Sequence, residues 1–262
     1  MNDLRVLLTQ TRYSLTSTLR TSRAVVFGIV FPVFLLVLFN SAFTSGADST
    51  IEFAGGTMST KAYFTAGMAA YAITMQSFSF LMISITDQRE SGQLKRLRGT
   101  PMRTWTFIGA LLLRALILSV VMVVIMFAVG VLAYGLDLTP GGVVGIAVYT
   151  VLGTAALSIL GIAATTLART PEAAATIGPF SAVILSFISG IFIPINTLPE
   201  WLRAVGRVFP LYHLAEGLQR STAATSGTGL NGADVLVLLV WTAVGLQVAV
   251  RRMRWEPQAA RA

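Results

Sequence analysis

The sequence predicts an all-α membrane protein with six transmembrane helices, and two observations carry that prediction. The 262-residue chain is 55% hydrophobic and only 11% charged, whereas soluble globular proteins carry about 25% charged residues. Apolar runs long enough to cross a bilayer also recur along the chain, separated by short polar segments. We place the six spans at 24–43, 63–85, 115–136, 143–167, 173–193 and 235–250.

The first 23 residues predict an amphipathic helix lying along the membrane surface. At 100° per residue its leucines share one face and its arginines the neighbouring face. Leucines suit the acyl boundary and arginines suit anionic headgroups. The arginines are Arg5, Arg12, Arg20 and Arg23. A floppy basic tail is the alternative interpretation.

The apolar run 103–136 is too long for one straight span across a core of about 30 Å. We therefore divide it into a surface helix at 105–113 and a span at 115–136, with Arg114 reaching the headgroups from the join. Residues 41–61 and 222–232 are expected to be irregular, and Asp234 is expected to cap the last helix.

The cations fix the expected orientation. With the N-terminus inside, 15 of the 19 Lys and Arg residues fall on the cytoplasmic side, as the positive-inside rule requires. Both chain ends are then cytoplasmic. Because the cations flank apolar spans, the net charge of +8 indicates membrane topology and not a nucleic-acid partner.

A polar stretch separates the second span from the third and predicts a short helix at 87–99. Leu94 and Leu97 are three residues apart, the cations come late in the stretch, and Gly99 suits a C-terminal cap. Its charged residues are Asp87, Arg89, Glu90, Lys95, Arg96 and Arg98. They could pair with a soluble partner while the leucines fill a groove; an ordinary positive-inside loop is the alternative.

Residues 194–220 predict a re-entrant region between spans five and six. The segment is too apolar for a free loop and is broken by Pro194, Pro199 and Pro210. Two short helices dipping into the outer leaflet would fit, with Trp201 and Tyr212 at the interface. An amphipathic surface loop is the alternative.

The chain lacks the motifs of nucleotide-binding P-loops, of α/β-hydrolase nucleophiles and of zinc proteases. It has no Cys and one His, so no cofactor or metal is expected on this chain and we expect no catalytic activity. The spans hold almost no carboxylates, which ion-coupled carriers usually need at mid-membrane. Any energy for transport would therefore come from another subunit.

Two segments resemble ABC-2 type permeases, the membrane subunits of bacterial ABC exporters. The first is Glu90-Ser-Gly-Gln-Leu-Lys-Arg-Leu-Arg-Gly-Thr-Pro-Met102; the second runs from Gly190 through Leu198-Pro-Glu-Trp-Leu202 to Phe209-Pro-Leu-Tyr212. The resemblance extends over nearly the whole chain, as one domain at 1–262. Within the family the chain is most similar to drug and polyketide-lipid exporters of the daunorubicin-resistance type.

The resemblance implies a permease of the bacterial inner membrane that exports an amphipathic drug, lipid or polyketide. Residues 87–99 would be the coupling helix, its six charged residues contacting a separate ATPase that binds ATP and Mg²⁺. Residues 1–23 would be the connecting helix. Two permease chains, the same or paralogous, would join two ATPase chains.

Spans two and five would face each other across the pore. The candidate pathway or gate residues are then Tyr71, Met75, Phe78, Phe187 and Phe192; ordinary interhelical packing or lipid contact is the alternative for each. Two other functions stay open. One is a stand-alone ion-coupled carrier or channel, and the other is a sensor or assembly protein that uses the basic stretch only for docking.

Overall fold

Helices account for most of the chain in a computed structural model, which describes residues 3–20, 26–43, 49–99 and 104–252. The helices are α1 (Asp3–Arg20), α2 (Phe31–Phe43), α3 (Thr60–Thr74), α4 (Phe80–Glu90), α5 (Gln93–Arg98), α6 (Thr104–Tyr134), α7 (Pro140–Ala164), α8 (Pro171–Ile188), α9 (Glu200–Val208), α10 (Pro210–Ala223) and α11 (Gly232–Arg252). Short π turns at Val26–Val30 and Met75–Ser79 lead into α2 and α4, and a 3-10 turn at Ile195–Thr197 precedes α9. Arg23, a predicted connecting-helix residue, lies outside the described residues.

Long apolar helices make this a multi-pass membrane protein. Within the described residues, four helical stretches are long and apolar enough to cross a bilayer: Thr60–Glu90, Trp105–Tyr134, Pro140–Ala164 and Pro171–Ile188. Two shorter apolar helices, Gly28–Phe43 and Gly232–Gln247, coincide with the first and last predicted spans. The count of six spans therefore stays a prediction, because these two helices are short for a core of about 30 Å.

The division of the third apolar run at Arg114 is wrong, because α6 is one continuous helix of 31 residues. No Pro or Gly interrupts the sequence around Arg114, so nothing locally ends the helix there. At 1.5 Å per residue α6 is about 46 Å long. Since the apolar core of a bilayer is about 30 Å thick, part of α6 extends beyond it.

A β-hairpin replaces part of the irregular segment expected at 41–61, so the chain is not purely α-helical. Strand β1 (Thr50–Phe53) pairs with β2 (Gly56–Ser59) in antiparallel register, with Ile51 opposite Met58. Gly56 turns the chain with φ of +129°, a value that a side chain would disfavour. The Ser59 side chain then caps α3 by accepting a hydrogen bond from the Ala62 N–H. The hairpin thus sets the start of α3.

Helix α3 lies at the centre of the bundle, where nearly all of its residues are buried. It packs against α2, α6 and α10. Helix α7 packs in turn against α10 and α11. We name the two ends of the bundle by what they carry. The basic end holds α1, α5 and the α7–α8 turn (165–170), and the hairpin end holds β1, β2, the α6–α7 turn (135–139) and the α10–α11 linker (224–231).

The region 189–223 forms the 3-10 turn, α9 and α10, and prolines start each piece. Pro194 precedes the 3-10 turn, Pro199 is the N-cap of α9, and Pro210 opens α10. Trp201 is 68% exposed, whereas Tyr212 is only 5% exposed because α10 is buried between α3, α7 and α11. The placement of Tyr212 at the interface is therefore wrong. The depth of α9 and α10 in a membrane stays a prediction.

Candidate functional site

The predicted coupling helix at 87–99 is two helical pieces. Asp87, Arg89 and Glu90 lie on the last turn of α4, which ends at Glu90. The chain turns at Gly92, whose φ of +73° suits glycine, and α5 then runs from Gln93 to Arg98. The sequence Ser91-Gly92 carried the signal for this break. Gly99 is the C-cap of α5, as predicted, with φ of −74°.

Helix α5 is fixed to the bundle by its two leucines. Leu94 is 0% exposed and packs in a cluster with Leu81, Ile85 and Phe107, and the partly buried Leu97 packs against the same cluster. Lys95 and Arg96 follow Leu94 in sequence and are both exposed. Helix α5 therefore joins α4 and α6 on its apolar face while presenting cations on its outer face. The side chain of Arg98 is outside what the structure describes.

Arg89 is not an outward contact residue, because its side chain is only 1% exposed. Its Nη1 donates to the Thr165 carbonyl oxygen over 3.1 Å, and its Nη2 donates to the Ala168 carbonyl oxygen over 2.6 Å. Its Nε pairs with Glu90 Oε1 at 2.7 Å. The end of α7 leaves carbonyl groups without helical partners, and Arg89 satisfies them. It thereby fastens α4 to the α7–α8 turn.

Helix α1, the predicted connecting helix, packs along α6. Thr11 donates a hydrogen bond to the Ala110 carbonyl oxygen over 3.4 Å, and Leu7 faces Gly109. Leu4 and Leu8 are exposed on the same helix. The predicted arginines Arg5, Arg12 and Arg20 are exposed as well. Helix α1 thus has one face on α6 and another that carries exposed leucines.

Arg114 does not extend outward from the join as predicted, since the residue is only 3% exposed. Its Nη1 donates to three hydroxyl groups: Ser14 at 3.1 Å, Thr18 at 3.4 Å and Ser84 at 3.3 Å. Arg114 therefore links α6 to α1 and α4. These three hydroxyl residues were missed, because serines and threonines in amphipathic helices carry no distinctive sequence signal.

Three of the five candidate gate residues form an aromatic cluster. The ring centroid of Phe192 lies 5.4 Å from that of Tyr71, 5.0 Å from that of Phe187 and 5.6 Å from that of Phe39. These separations are those of favourable aromatic pairs. Phe39 of α2 was not predicted, since a single sequence does not indicate which span packs on Phe192.

The other two candidates, Met75 and Phe78, are buried in the π turn between α3 and α4. This turn packs against α7 and α8. A Cβ on Gly161 of α7 would lie 2.7 Å from the Phe78 carbonyl oxygen, so only glycine fits. π turns are frequent at functional sites in helices. Nothing in the sequence indicates this π turn.

A polar cluster at the hairpin end was also missed. His213 Nδ1 lies 2.7 Å from Asp234 Oδ1, and His213 Nε2 lies 2.9 Å from the Arg207 carbonyl oxygen. The prediction that Asp234 caps α11 is wrong, because Asn231 Oδ1 accepts from the Ala233 N–H instead. Burial alone would lower the pKa of His213, but these two hydrogen bonds and the charges of Asp234 and Glu216 outweigh it and raise the pKa.

The arrangement provides a surface for binding a partner and contacts between helices that could transmit movement. Within the described ranges, no three or more His, Cys, Asp or Glu side chains come close enough to hold a metal ion. The basic end instead presents exposed cations on a helix that is fixed to two long helices. Such a surface suits an acidic protein partner.

Comparison with known proteins agrees with this geometry. The model of the ABC-2 type transporter family matches residues 5–221. A protein of Bacillus subtilis (strain 168), YvfS, whose name describes it as a candidate transport permease, is 20% identical over 238 residues. The alignment covers 91% of this chain and 93% of the relative. The family match spans α1 to α10 and includes both the basic end and the aromatic cluster. The chain therefore belongs to the ABC-2 type transporter family, and its role is that of a transport permease in a membrane.

Proposed function

We propose that this chain is the membrane subunit of an ATP-driven exporter and that α5, with the end of α4, receives the movement of a separate ATPase. One observation carries the proposal: α5 is held by buried Leu94 while Lys95 and Arg96 remain exposed. A partner that bound a loose loop could move it without moving the bundle. A partner that binds α5 must also move the helices to which Leu94 is packed.

The contacts of the basic end supply a route for that movement. Helix α5 follows α4 through the two-residue turn at Ser91-Gly92, and Arg89 ties α4 to the α7–α8 turn. Helix α4 leads directly into the π turn, which packs against α7 and α8. A displacement of α5 would thus reach the aromatic cluster through α3 and α8, which carry or adjoin Tyr71, Phe187 and Phe192.

The assembly that fits this route contains two permease chains and two ATPase chains in the bacterial inner membrane, with both ends of this chain cytoplasmic. The ATPase chains would hold ATP and Mg²⁺. The aromatic cluster would line or gate the pathway. Its apolar character suits an amphipathic drug, a lipid or a polyketide as cargo, and export accords with the resemblance to drug and polyketide-lipid exporters.

The test is a charge reversal on α5. The tagged chain, purified from its native membrane, is expected to carry an ATPase subunit with it, and the double variant Lys95→Glu/Arg96→Glu is expected to lower that copurified ATPase activity by about tenfold or more, because interfacial charges would become repulsive. Lys61→Glu, at the hairpin end, reverses a charge on the other side of the bundle and is the matched control.

Equal ATPase recovery from the α5 variant and the wild type would contradict the proposal. Transport by the purified chain alone in liposomes, without ATP, would favour a stand-alone carrier or channel instead. Recovery of a soluble partner that does not hydrolyse ATP would favour a sensor or assembly role.

A further inference from the structure

A polar cavity of about 600 Å³ opens at the basic end, and the proposed coupling route makes no use of it. Its walls come mainly from α1, α4 and α8, and Arg114 of α6 also lines it. The residues that matter here are Tyr13, Ser84, Asp87, Arg114 and Glu172. The cavity is large enough for the polar head of an amphiphile.

Arg114 is an incompletely satisfied charge in that cavity. Its three hydrogen bonds all go to neutral hydroxyl groups and all come from Nη1, while its buried Nε has no partner. Within the described residues no carboxylate pairs with it. A buried charge without a counter-ion destabilises the folded state. An anionic group in the cavity would supply the missing partner.

The other charged groups of the cavity define what that anion must be. Asp87 and Glu172 also line it, and both are exposed. They would repel a multiply charged anion but would attract an ammonium group. Asp87 follows Ser84 by three residues on α4, which places it about 4.5 Å further along the helix axis. An anion at Arg114 and an ammonium group near Asp87 would thus lie about one helical turn apart.

The cavity also offers an apolar wall. Phe80 and Ile83 line it from α4, and both are half-buried. Helix α1, which forms another wall, carries exposed leucines of the kind that lie in the acyl boundary. The head of a bilayer lipid could enter here while its chains remain in the membrane.

We propose that this cavity binds the head of a zwitterionic phospholipid with a primary ammonium group, its phosphate on Arg114 and its ammonium group toward Asp87 and Glu172. The planar guanidinium fork matches phosphate oxygens. The Ser14, Thr18 and Ser84 hydroxyls can add donors. The site concerns lipid binding and does not depend on transport or on an ATPase.

The experiment measures binding to the delipidated, purified chain in detergent by native mass spectrometry. The probes are phosphatidylethanolamine, phosphatidylglycerol, phosphatidylcholine and inorganic phosphate. Phosphatidylethanolamine is expected to bind most tightly, and Arg114→Gln to weaken its binding by about tenfold or more, because the guanidinium is the only cation among the described residues of the cavity wall. Arg169→Gln, an exposed cation at the same end, is the control and is expected to bind like the wild type.

The double variant Asp87→Asn/Glu172→Gln tests the ammonium half of the site. It is expected to bind phosphatidylglycerol at least as well as phosphatidylethanolamine, because the carboxylates no longer favour the ammonium group. Equal binding of phosphatidylethanolamine and phosphatidylglycerol by the wild type would contradict the proposal that the bound head is zwitterionic. If inorganic phosphate bound as tightly as the lipids, the proposal of a lipid ligand would be wrong and the cavity would be a site for a free anion.

Arg114→Gln also removes three internal hydrogen bonds, so a second variant keeps the proposal testable without them. Ala175 is an exposed residue of α8 that lines the cavity. Ala175→Trp is expected to fill the space and abolish phosphatidylethanolamine binding while leaving Arg114 and its hydroxyl partners in place. Unchanged binding by Ala175→Trp or by a folded Arg114→Gln would refute the proposed site.

Discussion

The two ends of this bundle use their charged residues in opposite ways. At the basic end, Lys95 and Arg96 are exposed on a helix that two leucines fix in place. At the hairpin end, Glu216 pairs with Arg220, and Asp234 pairs with His213. Charges at the first end are available to a partner, whereas those at the second end hold α10, α11 and the α9 carboxyl end together. The net charge of the chain does not distinguish charges that are available to a partner from charges that form internal pairs.

Arg89 is the exception at the basic end, and removing it is expected to have the largest effect on stability. Arg89→Met leaves the Thr165 and Ala168 carbonyl groups without their hydrogen-bond donor, so we expect a loss of about 3 kcal/mol in the free energy of unfolding. Denaturant unfolding in detergent measures it. Arg96→Met, an exposed neighbour, should change stability by less than about 0.5 kcal/mol. Equal stability of the two variants would show that the buried contacts of Arg89 are not structural.

A packing change on α7, about one turn before the basic end, should have a smaller effect. In Gly161→Val the new side chain meets the backbone of Phe78 in the π turn, which we expect to cost about 1–3 kcal/mol. Gly232→Ala, where an added Cβ meets nothing within 4 Å, is the control. The thermal midpoint of each purified variant reports the difference. If both variants have the thermal midpoint of the wild type, the contact between α7 and the π turn is not tightly packed.

The stability of the hairpin end should respond to pH. Because the pKa of His213 is raised in the folded state, its stabilising effect is complete below the unfolded pKa of about 6.5 and is lost as pH rises through the folded pKa. The thermal midpoint should therefore fall as the pH is raised above about 6.5.

His213→Gln is expected to remove this part of the slope and to cost about 1–2 kcal/mol at low pH, since buried Asp234 loses its partner. An identical slope in wild type and variant would assign the pH dependence to other groups.

The smallest expected effect on stability belongs to the exposed cations of α5. Lys95→Ala should alter the free energy of unfolding by less than about 0.5 kcal/mol, because the side chain is exposed. Its effect should appear only in recovery of the partner ATPase. A substantial loss of stability would mean that the cation supports the fold, which would erase the contrast between the two ends.

The apolar helices and the short basic helix could be predicted from the sequence, because composition and periodicity depend on residues that are close together in the chain. Pro171 and Pro140 opened helices close to the predicted span starts for the same reason. The prediction that Leu94 fills a groove on a partner is wrong, because Leu94 is buried against Leu81, Ile85 and Phe107 of this chain. A leucine that packs on its own bundle has the same sequence spacing as one that packs on a partner.

Features that depend on distant residues were not predictable. Arg89, Arg114 and Asp234 were each given a surface or capping role, but their partners lie 21 to 100 residues away in sequence. A charge inside a polar stretch resembles a solvated charge until the neighbouring helices are known. The aromatic cluster was only partly found, because Phe39 reaches it from a different span.

The unbroken α6 has a geometric consequence at the basic end. The helix is about 16 Å longer than the apolar core of a bilayer, from the lengths given above, and at the basic end it packs against α1 and contacts α5 through Phe107. Bilayers of different thickness would be accommodated by tilting α6. The thickness of the bilayer would therefore change the angle at which a partner meets the basic end.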